Sequence, residues 1–361
     1  MNVAILGVGL IGGSIGLAAR ARAGAQVSGY DTSAEVLAAA LERGAIDEAS
    51  SDVASAVRSA EAVFVATPVG ALASSARAAL ENAGPSCVVS DVGSTKRVLA
   101  DLAGDERFVG GHPMAGAEGA GVGQAREDMF DGATWYLTPA SGTSGVLYER
   151  LHRLLVSLGA QPAAVDAEAH DRVMACVSHL PHVLANALVR EAESMVDDDE
   201  DVRAVFAAGA SGPSFRDATR VAGANSAIWT DIYMANRAAL IARIDAIAAR
   251  LADARELLAA GEPGALRDWN ERARAEKDQL RAAEGAAEPT RELRVVVPNR
   301  PGVIAEIALA LGRAGVNIAD LALSPSDDNR QGVVALWVRG EAQLARAQEL
   351  ITALDFPVVR A

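Results

Sequence analysis

Cysteine is nearly absent: Cys87 and Cys176 are the two in 361 residues. Two thiols cannot make a disulfide framework, and neither lies in a metal-type spacing or beside an activating base, so both are expected to be buried and inert. Long hydrophobic runs are missing too. Half the residues are hydrophobic, yet no stretch reaches the roughly 18 apolar residues of a membrane-spanning helix. The first apolar stretch, VAILGVGLIGG, is punctuated by glycine and has no basic leader before it. A soluble, unexported, cytoplasmic protein is the expectation. Positive charge is in deficit, with 33 Lys and Arg against 47 Asp and Glu and a net charge of −14. That balance disfavours nucleic acid and anionic membranes as partners, because phosphate binding is driven by clustered basic residues. A small anionic substrate stays open only if particular arginines are aimed at it. Lysine is scarcer still, represented by Lys96 and Lys277 alone. No internal repeat or low-complexity tract occurs.

What is present is a pattern that changes twice. Up to about residue 162, short runs rich in Val and Ile (VAILG, QVSGY, AVFVA, CVVSDV, TWYLT) alternate with alanine-rich helical stretches. This is the βαβ rhythm of a parallel sheet covered by helices, and residues 1–165 are assigned to one α/β nucleotide-type domain. Over 166–285 the strand runs vanish, and helical spacing takes over in 170–195, 226–259 and 264–284. An all-helical second domain follows. Residues 285–290 read as a linker, after which 291–361 give the order βαββαβ, a small independent α+β sandwich. The acidic run DDDED at 197–201 is read as a solvated helix junction, not a metal site.

The first chemical motif is GVGLIGGS, beginning at Gly7. Gly7 permits the tight strand-to-helix turn, Gly9 lets backbone amides approach a pyrophosphate, and Gly12 lets the helix pack closely on the strand. Leu10 and Ile11 belong to the same cofactor surface. A lone GxGxxG is weak, but this one follows a strand, opens a helix, and precedes a second strand ending in Asp31, 19 residues past Gly12. A carboxylate there accepts hydrogen bonds from ribose hydroxyls. Asp31 would repel a 2′-phosphate and positions 32–34 hold no arginine, so NAD is favoured over NADP. A helix-capping Asp31 explains the aspartate but not the glycines. Thr67 and Pro68, at the end of AVFVA, lie where a doubly wound sheet presents its ligand crevice, although an ordinary strand-terminating turn explains them equally well.

DVGSTK at 91–96 again ends a strand in a glycine turn, which brings Ser94 and Lys96 to the carboxyl edge of the sheet. Ser94 as a simple helix cap is the alternative. GHPMAG at 111–116 sets His112 between glycines and a proline, a loop-like setting from which an imidazole can face a cleft. Imidazole near its unperturbed pKa is suited to taking a proton from an alcohol at neutral pH. Beside a nicotinamide, that means alcohol oxidation by hydride transfer; a structural histidine is the competing reading. In the helical part, VSHLPH at 177–182 puts His179 and His182 on one face around Pro181, and no third ligand is at hand for zinc. SFRDATRVAGANSAIWTDIY carries Arg216, Asp217, Arg220 and Trp229. Arg220 is of the type that clamps a carboxylate bidentately, while a surface salt bridge is the default for any single arginine.

GVGLIGGS, DVGSTK, GHPMAG, SHLPH and FRDATR with a following tryptophan, in this order, resemble the prephenate and arogenate dehydrogenase family of tyrosine biosynthesis, over most of residues 1–285. The resemblance implies a Rossmann-type doubly wound sheet, a helical domain that forms a homodimer, and NAD as cofactor. The reaction implied is oxidative decarboxylation of prephenate to 4-hydroxyphenylpyruvate, with arogenate, an amino acid where prephenate is a keto acid, as the alternative substrate. His112 would be the base for the ring 4-hydroxyl, and Ser94 the serine that hydrogen-bonds that histidine and the substrate hydroxyl. Arg220 would hold a substrate carboxylate, His182 with Ser178 and His179 would be substrate-side groups, and Trp229 a pocket wall. Lys96 and Asp217 join the substrate-binding set. PSFRD departs from the family pattern, which often has glycines before the aromatic, so Pro213 and Ser214 alter the backbone contacts there.

The terminal segment resembles an ACT domain. NRPGVIAEI at 299–307 and GVNI at 315–318 are most similar to the regulatory domain of phosphoglycerate dehydrogenases. That likeness implies that Asn299 and Asn317 bind an effector amino acid across a dimer interface and that Gly302 opens room for it. Tyrosine is the expected effector, with phenylalanine or another amino acid as the alternative, and a structural dimerisation module is the competing reading. Two other functions compete for the whole chain. A β-hydroxyacid dehydrogenase would need a catalytic lysine in the helical part, where Lys277 lies in a charged, solvated stretch. A non-catalytic sensor of NAD and an amino acid would leave His112, Ser94 and Arg220 without a purpose.

Overall fold

The computed structural model describes residues 1–116, 119–209, 211–283, 290–326 and 330–360. They group into two compact units, one of Met1–Asp171 with Pro289–Ala361, the other of Arg172–Glu288. Most of the expected linker at 285–290 lies outside the described residues.

In the first unit, eight strands form one sheet: β1 (Asn2–Leu6), β2 (Gln26–Tyr30), β3 (Glu48–Ala49), β4 (Ala62–Val65), β5 (Val88–Asp91), β6 (Phe108–Pro113), β7 (Thr134–Thr138) and β8 (Gln161–Ala164), in the order β3-β2-β1-β4-β5-β6-β7-β8. Helices α1 (Leu10–Ala23), α2 (Ala34–Glu42), α3 (Val53–Val57), α4 (Val69–Asn82) and α5 (Gly145–Ser157) cover it. The alternation of a strand explains the two cores. In β1, Val3 and Ile5 pack with Ile15 and Leu155 on one face, while Ala4 and Leu6 pack with Leu72 and Ala76 on the other. The sequence rhythm predicts a wholly parallel sheet. The structure departs from it once: β6 and β7 pair antiparallel, from Gly110 opposite Thr138 to Pro113 opposite Trp135. Among the described residues, the segment joining them holds a short 3₁₀ turn (Val122–Gln124) and no covering α-helix of the kind a parallel crossover uses.

The expected βαββαβ order appears at the C-terminus as β9 (Thr290–Pro298), α13 (Val303–Arg313), β10 (Ile318–Pro325), β11 (Gln331–Arg339), α14 (Glu341–Thr352) and β12 (Val358–Arg360). Helix α6 (Ala167–Met174) runs across the boundary between the two units, and α7 to α12 are the helices of the other unit. The four strands pair antiparallel in the order β10-β11-β9-β12. This part is not the independent sandwich expected from the sequence. It shares an apolar core with the nucleotide-type part, and at two points along the seam backbone meets backbone. A Cβ on Gly302 would stand 1.8 Å from the Ser141 carbonyl oxygen, and one on Gly312 would stand 1.9 Å from that of Ala164.

The other unit is helical: the end of α6 (Ala167–Met174), then α7 (Leu180–Asp198), α8 (Glu200–Ala207), α9 (Pro213–Thr219), α10 (Ser226–Ala235), α11 (Arg237–Ala260) and α12 (Pro263–Ala283). Asp199 caps α8 through the Asp201 and Val202 amides, so the acidic run does mark a helix junction. Between α6 and α7, Ala175–His179 forms a wide π-helical turn. Pro181 explains it, since proline has no N–H for the Val177 carbonyl and its ring would crowd that oxygen. The thiols divide against expectation. Cys87 is buried, and burial pushes its pKa up to about 11, whereas Cys176 is exposed. Met174, Ala175 and His179 take the inward positions of the wide turn and leave Cys176 facing out. Large apolar side chains stand in solvent along this unit, including Val205, Met234, Leu251 and Leu258, each at least 60% exposed. No helix among the described residues is long and apolar enough to cross a membrane.

Candidate active site

The glycine loop sits where β1 ends beside β4. Gly7 has φ +91°, and a Cβ there would lie 2.7 Å from the Ala66 carbonyl oxygen, so a side chain is excluded twice over. A Cβ on Gly12 would lie 2.1 Å from the Gly7 oxygen, which is the close helix-to-strand packing expected of it. Gly9 is the opposite case. Nothing lies within 4 Å of its Cβ position, so the backbone is open to a ligand. Leu10 and Ile11 follow, partly exposed at the start of α1. Asp31 reaches back over the loop and accepts hydrogen bonds from the Val8 amide (3.0 Å) and the Ser33 amide (3.0 Å). Open backbone, an uncapped helix start and a carboxylate above it fit the dinucleotide anticipated from the sequence. Thr67 follows β4, with its hydroxyl 3.4 Å from that of Ser75, and Pro68 is the N-cap of α4.

His112 does not occupy a loop. It is the fifth residue of β6, opposite Tyr136 of β7. The glycines of GHPMAG serve packing: a Cβ on Gly111 would lie 2.5 Å from the Asp91 oxygen, and one on Gly110 would lie 2.3 Å from the Thr138 hydroxyl. The half-buried His112 ring places Nδ1 2.9 Å from Nε2 of His170, at an edge-on angle of 77°. His170, buried in α6, places its own Nδ1 2.8 Å from the Asp171 carboxylate. Asp171 also accepts from the amides of Lys96 (2.8 Å) and Arg97 (3.0 Å). Burial pulls its pKa upward, but these donors outweigh burial and leave it below the usual carboxylate range. The charged end of the chain therefore stays ionised.

Lys96 corrects an expectation. The sequence places it with the substrate-binding residues, yet it is 2% exposed and its ammonium bonds the Asp91 carboxylate and the Gly111 carbonyl. Burial lowers its pKa, and Asp91 opposes that shift. The Asp91 carboxylate also accepts from the Gly111 amide (3.0 Å). Both backbone polar groups of Gly111, the residue preceding His112, are thus gripped, and Lys96 fixes the strand. Ser94 differs as well: its buried hydroxyl has no hydrogen-bond partner, so the bond expected between Ser94 and His112 is absent, His112 being turned instead to His170.

The helical unit gathers a second group by itself. His182 stacks on Trp229 with ring centroids 3.4 Å apart, and the Tyr233 ring packs 5.6 Å from that of Trp229. His179 is buried and lies edge-on to Trp229, its Nδ1 3.2 Å from the Asn236 amide nitrogen. His182, Asn186, Trp229 and Tyr233 line a cavity of about 180 Å³. Burial lowers the His182 pKa, and the positive charge of Arg220 lowers it further, so a neutral imidazole and a cation share this corner. Arg220, the C-cap of α9, and Asp217, within that helix, are both exposed, and Ser178 is half-buried in the wide turn. Arg216 is turned away to the Ser211 carbonyl, 2.7 Å off. Reasoning from sequence missed His170, Asp171 and Asp91. The one signal was the HD pair at 170–171, nine residues before His179.

Comparison with known proteins agrees with this organisation. Residues 15–163 match the model of the prephenate dehydrogenase nucleotide-binding domain, 166–271 that of the prephenate dehydrogenase dimerization domain, and 291–355 that of the ACT domain. The prephenate dehydrogenase of Bacillus subtilis is 32% identical over 363 residues, covering 98% of this chain and 96% of the relative. Among solved structures, prephenate dehydrogenase from Aquifex aeolicus in complex with hydroxyphenyl propionate and NAD+ superposes with a TM-score of 0.69 at 28% identity, over 78% of this chain and 98% of that one. Synechocystis arogenate dehydrogenase gives a TM-score of 0.69 at 26% identity, over 78% of this chain and 100% of that one.

Proposed function

The chain belongs to the prephenate dehydrogenase family, and we propose that its His112, oriented by His170 and Asp171, is the base that drives the family's reaction here. The enzyme is an NAD-dependent oxidoreductase that converts prephenate to 4-hydroxyphenylpyruvate with loss of carbon dioxide. NAD, held by Gly7, Gly9, Leu10, Ile11, Gly12, Thr67, Pro68 and Asp31, supplies the hydride acceptor when bound.

The observation that carries the proposal is the chain His112–His170–Asp171. An ionised Asp171 requires His170 to carry its proton on Nδ1, which leaves Nε2 of His170 as an acceptor. His112 must then donate from Nδ1 and keep its lone pair on Nε2. That nitrogen takes the proton of the ring hydroxyl, and the positive charge gained by His112 is answered along the chain by Asp171. Loss of the ring carboxylate aromatises the ring. Ser94, its buried hydroxyl open to a new bond, orients the substrate oxygen. Arg220 holds a carboxylate, while His182, His179, Ser178, Trp229 and Asp217 shape the substrate side. The neutral, stacked His182 suits a group that donates one hydrogen bond without adding a second full charge beside Arg220.

The apolar surface of the helical unit supports a homodimer built through that unit, in a protein we place in the cytoplasm. The ACT domain supports feedback by an amino acid, tyrosine first, with Asn299 and Asn317 as its contacts, whereas Gly302 does not open the expected room, because the Ser141 carbonyl fills that space. The likeness to an arogenate dehydrogenase keeps arogenate as the second substrate to test. Formation of NADH with each substrate in turn decides between them. His112→Asn should keep NAD affinity and lose about 10²–10⁴-fold in kcat with prephenate; near-parental turnover would remove His112 as the base.

A further inference from the structure

The glycine motif does not end with the residues a dinucleotide needs. Gly13 and Ser14 complete GVGLIGGS, and both meet a segment from elsewhere in the domain. A Cβ on Gly13 would lie 2.9 Å from a methyl of Val122 and 3.0 Å from Cβ of Ala125. Ser14 is buried, and its hydroxyl donates to the Leu10 carbonyl (2.8 Å) and accepts from the Arg126 amide (3.0 Å). The segment they meet, residues 122–131, belongs to the connection between β6 and β7 that has no covering α-helix among the described residues. It lies along α1 as a strap. Val122, Ala125, Met129 and Phe130 enter the same core as Ile15 and Ala18, and Asp131 pairs with Arg22 in the last turn of α1.

The strap also reaches α2. Arg43, the C-cap of α2, donates to the Ala125 carbonyl (2.6 Å), and the 3₁₀ turn at Val122–Gln124 packs on both helices. These are the helices that follow the cofactor groups. Helix α1 opens directly after Gly9, and α2 opens at its N-cap Ser33, whose amide bonds the Asp31 carboxylate. A pyrophosphate on the first turn of α1 and a ribose on Asp31 require the two helix starts at one separation. Strand pairing fixes the strands, whereas the helices above them are set by packing, and a strap with a polar anchor on each helix removes that freedom. Past Asp131 the chain enters β7, where Tyr136 stands opposite His112. One continuous piece thus grips both cofactor helices and pairs with the strand of the base.

We propose that Ser14 and Arg43 are positioning residues for NAD, each anchoring the strap to one of the two helices whose starts hold the adenosine half of the cofactor. This inference rests on the reading that the glycine loop and Asp31 hold NAD, and adds to it two residues that act through the strap. Without the Ser14 hydroxyl, the Arg126 amide loses its acceptor and the Leu10 carbonyl a donor, both at the first turn of α1. Without the Arg43 guanidinium, α2 loses its tie to Ala125. Either loss is felt at the adenosine half.

The test uses the full-length protein with Ser14→Ala, Arg43→Gln and the two combined. Arg43 is exposed, so its variant leaves the core intact. KM for NAD should rise about three- to tenfold in each single variant, the range that one hydrogen bond supplies, while KM for prephenate and kcat at saturating NAD stay near parental values. The double variant should raise KM for NAD by less than the product of the single effects, because both anchors hold one strap. Calorimetry with ADP-ribose, which carries the adenosine and pyrophosphate but no nicotinamide, should show the same loss of affinity. Lower melting temperatures with KM for NAD and ADP-ribose affinity unchanged would make both residues purely structural and overturn the proposal. A rise in KM for NAD without a loss of ADP-ribose affinity would overturn the assignment to the adenosine half. If ADP-ribose does not bind the parent, the reading of the glycine loop itself fails, and this inference with it.

Discussion

Replacing Asp171 with asparagine tests the proton chain at its least replaceable point. The carboxylate accepts on both oxygens: from Nδ1–H of His170 and the Lys96 amide on one, from the Arg97 amide on the other. An asparagine amide has one acceptor and one donor end, so it cannot serve both sides. With its oxygen toward His170 and Lys96, its NH₂ meets the Arg97 N–H and leaves a part-buried donor unpaired, at a cost of about 1–3 kcal/mol. Turned the other way, it satisfies Arg97 but donates to Nδ1 of His170. That reverses the tautomers along the chain, moving the His170 proton to Nε2 and the His112 proton onto the nitrogen that has to act as base. Both orientations also lose the negative charge that answers the imidazolium. Asp171→Asn should therefore lose roughly 10²–10⁴-fold in kcat, the range a general base contributes, with KM for NAD within a factor of a few. His170→Phe should lose about as much, and the double variant little more than either alone, because the residues act as one unit. Initial rates of NADH formation at saturating prephenate, across pH 6–9, make the measurement. A kcat within threefold of parent for Asp171→Asn at every pH would refute the relay, since a carboxylate with a purely structural role would show its loss in melting temperature alone.

Three further expectations follow from single residues. Arg220→Ala should raise KM for prephenate by about 10- to 100-fold and change kcat much less, because a charge-assisted hydrogen bond to a carboxylate contributes about 1.5–3 kcal/mol; an unchanged KM would sink the clamp. His152 of α5 is 1% exposed, and burial holds its pKa down to about 4 against the pull of the Asp320 carboxylate. A histidine with a depressed folded pKa binds its proton first in the unfolded chain, so stability falls as pH drops below the ordinary 6.5, by about 2 kcal/mol at pH 5 and roughly 3 kcal/mol below pH 4. His152→Phe should flatten this acid limb in thermal melts between pH 7 and 5, and an identical limb would contradict the assignment. Gly302→Ala combines φ +81° with a Cβ 1.8 Å from the Ser141 oxygen. It should cost more than about 1 kcal/mol, read as a melting temperature lower by several degrees; an unchanged melt would mean that the seam yields freely.

The parts of this protein that could be read from its sequence are those fixed by local backbone constraints. Gly7 and Gly12 are legible because a turn and a helix contact only a few residues away forbid side chains there, and Asp31 because a strand's length delivers it to the loop. The strand and helix order of the ACT domain is legible for the same reason, since periods of 2 and 3.6 are local. The seam that joins it to the nucleotide-binding domain was not, because Gly145, Gly302 and Gly312 acquire their meaning from neighbours more than a hundred positions away. His170 and Asp171 are hidden likewise. Nothing around them repeats or spaces like a motif, and they become functional only because α6 brings them to the end of β6.

Lys96 is the instructive case between these extremes. Its rarity in an arginine-rich chain correctly marked a constrained position, but the constraint was misread as a ligand. A lysine ammonium is a compact point charge with three donors, and here it fits between a buried carboxylate and the carbonyl of Gly111. A planar guanidinium is larger and would need that space widened, which Gly110 and Gly111, already too close to their neighbours for a methyl group, do not allow. The same packing that demands glycine at 110 and 111 thus demands lysine at 96. Together they hold the backbone of Gly111, from which the chain enters His112, so that three apparently separate motif residues are one device for aiming an imidazole.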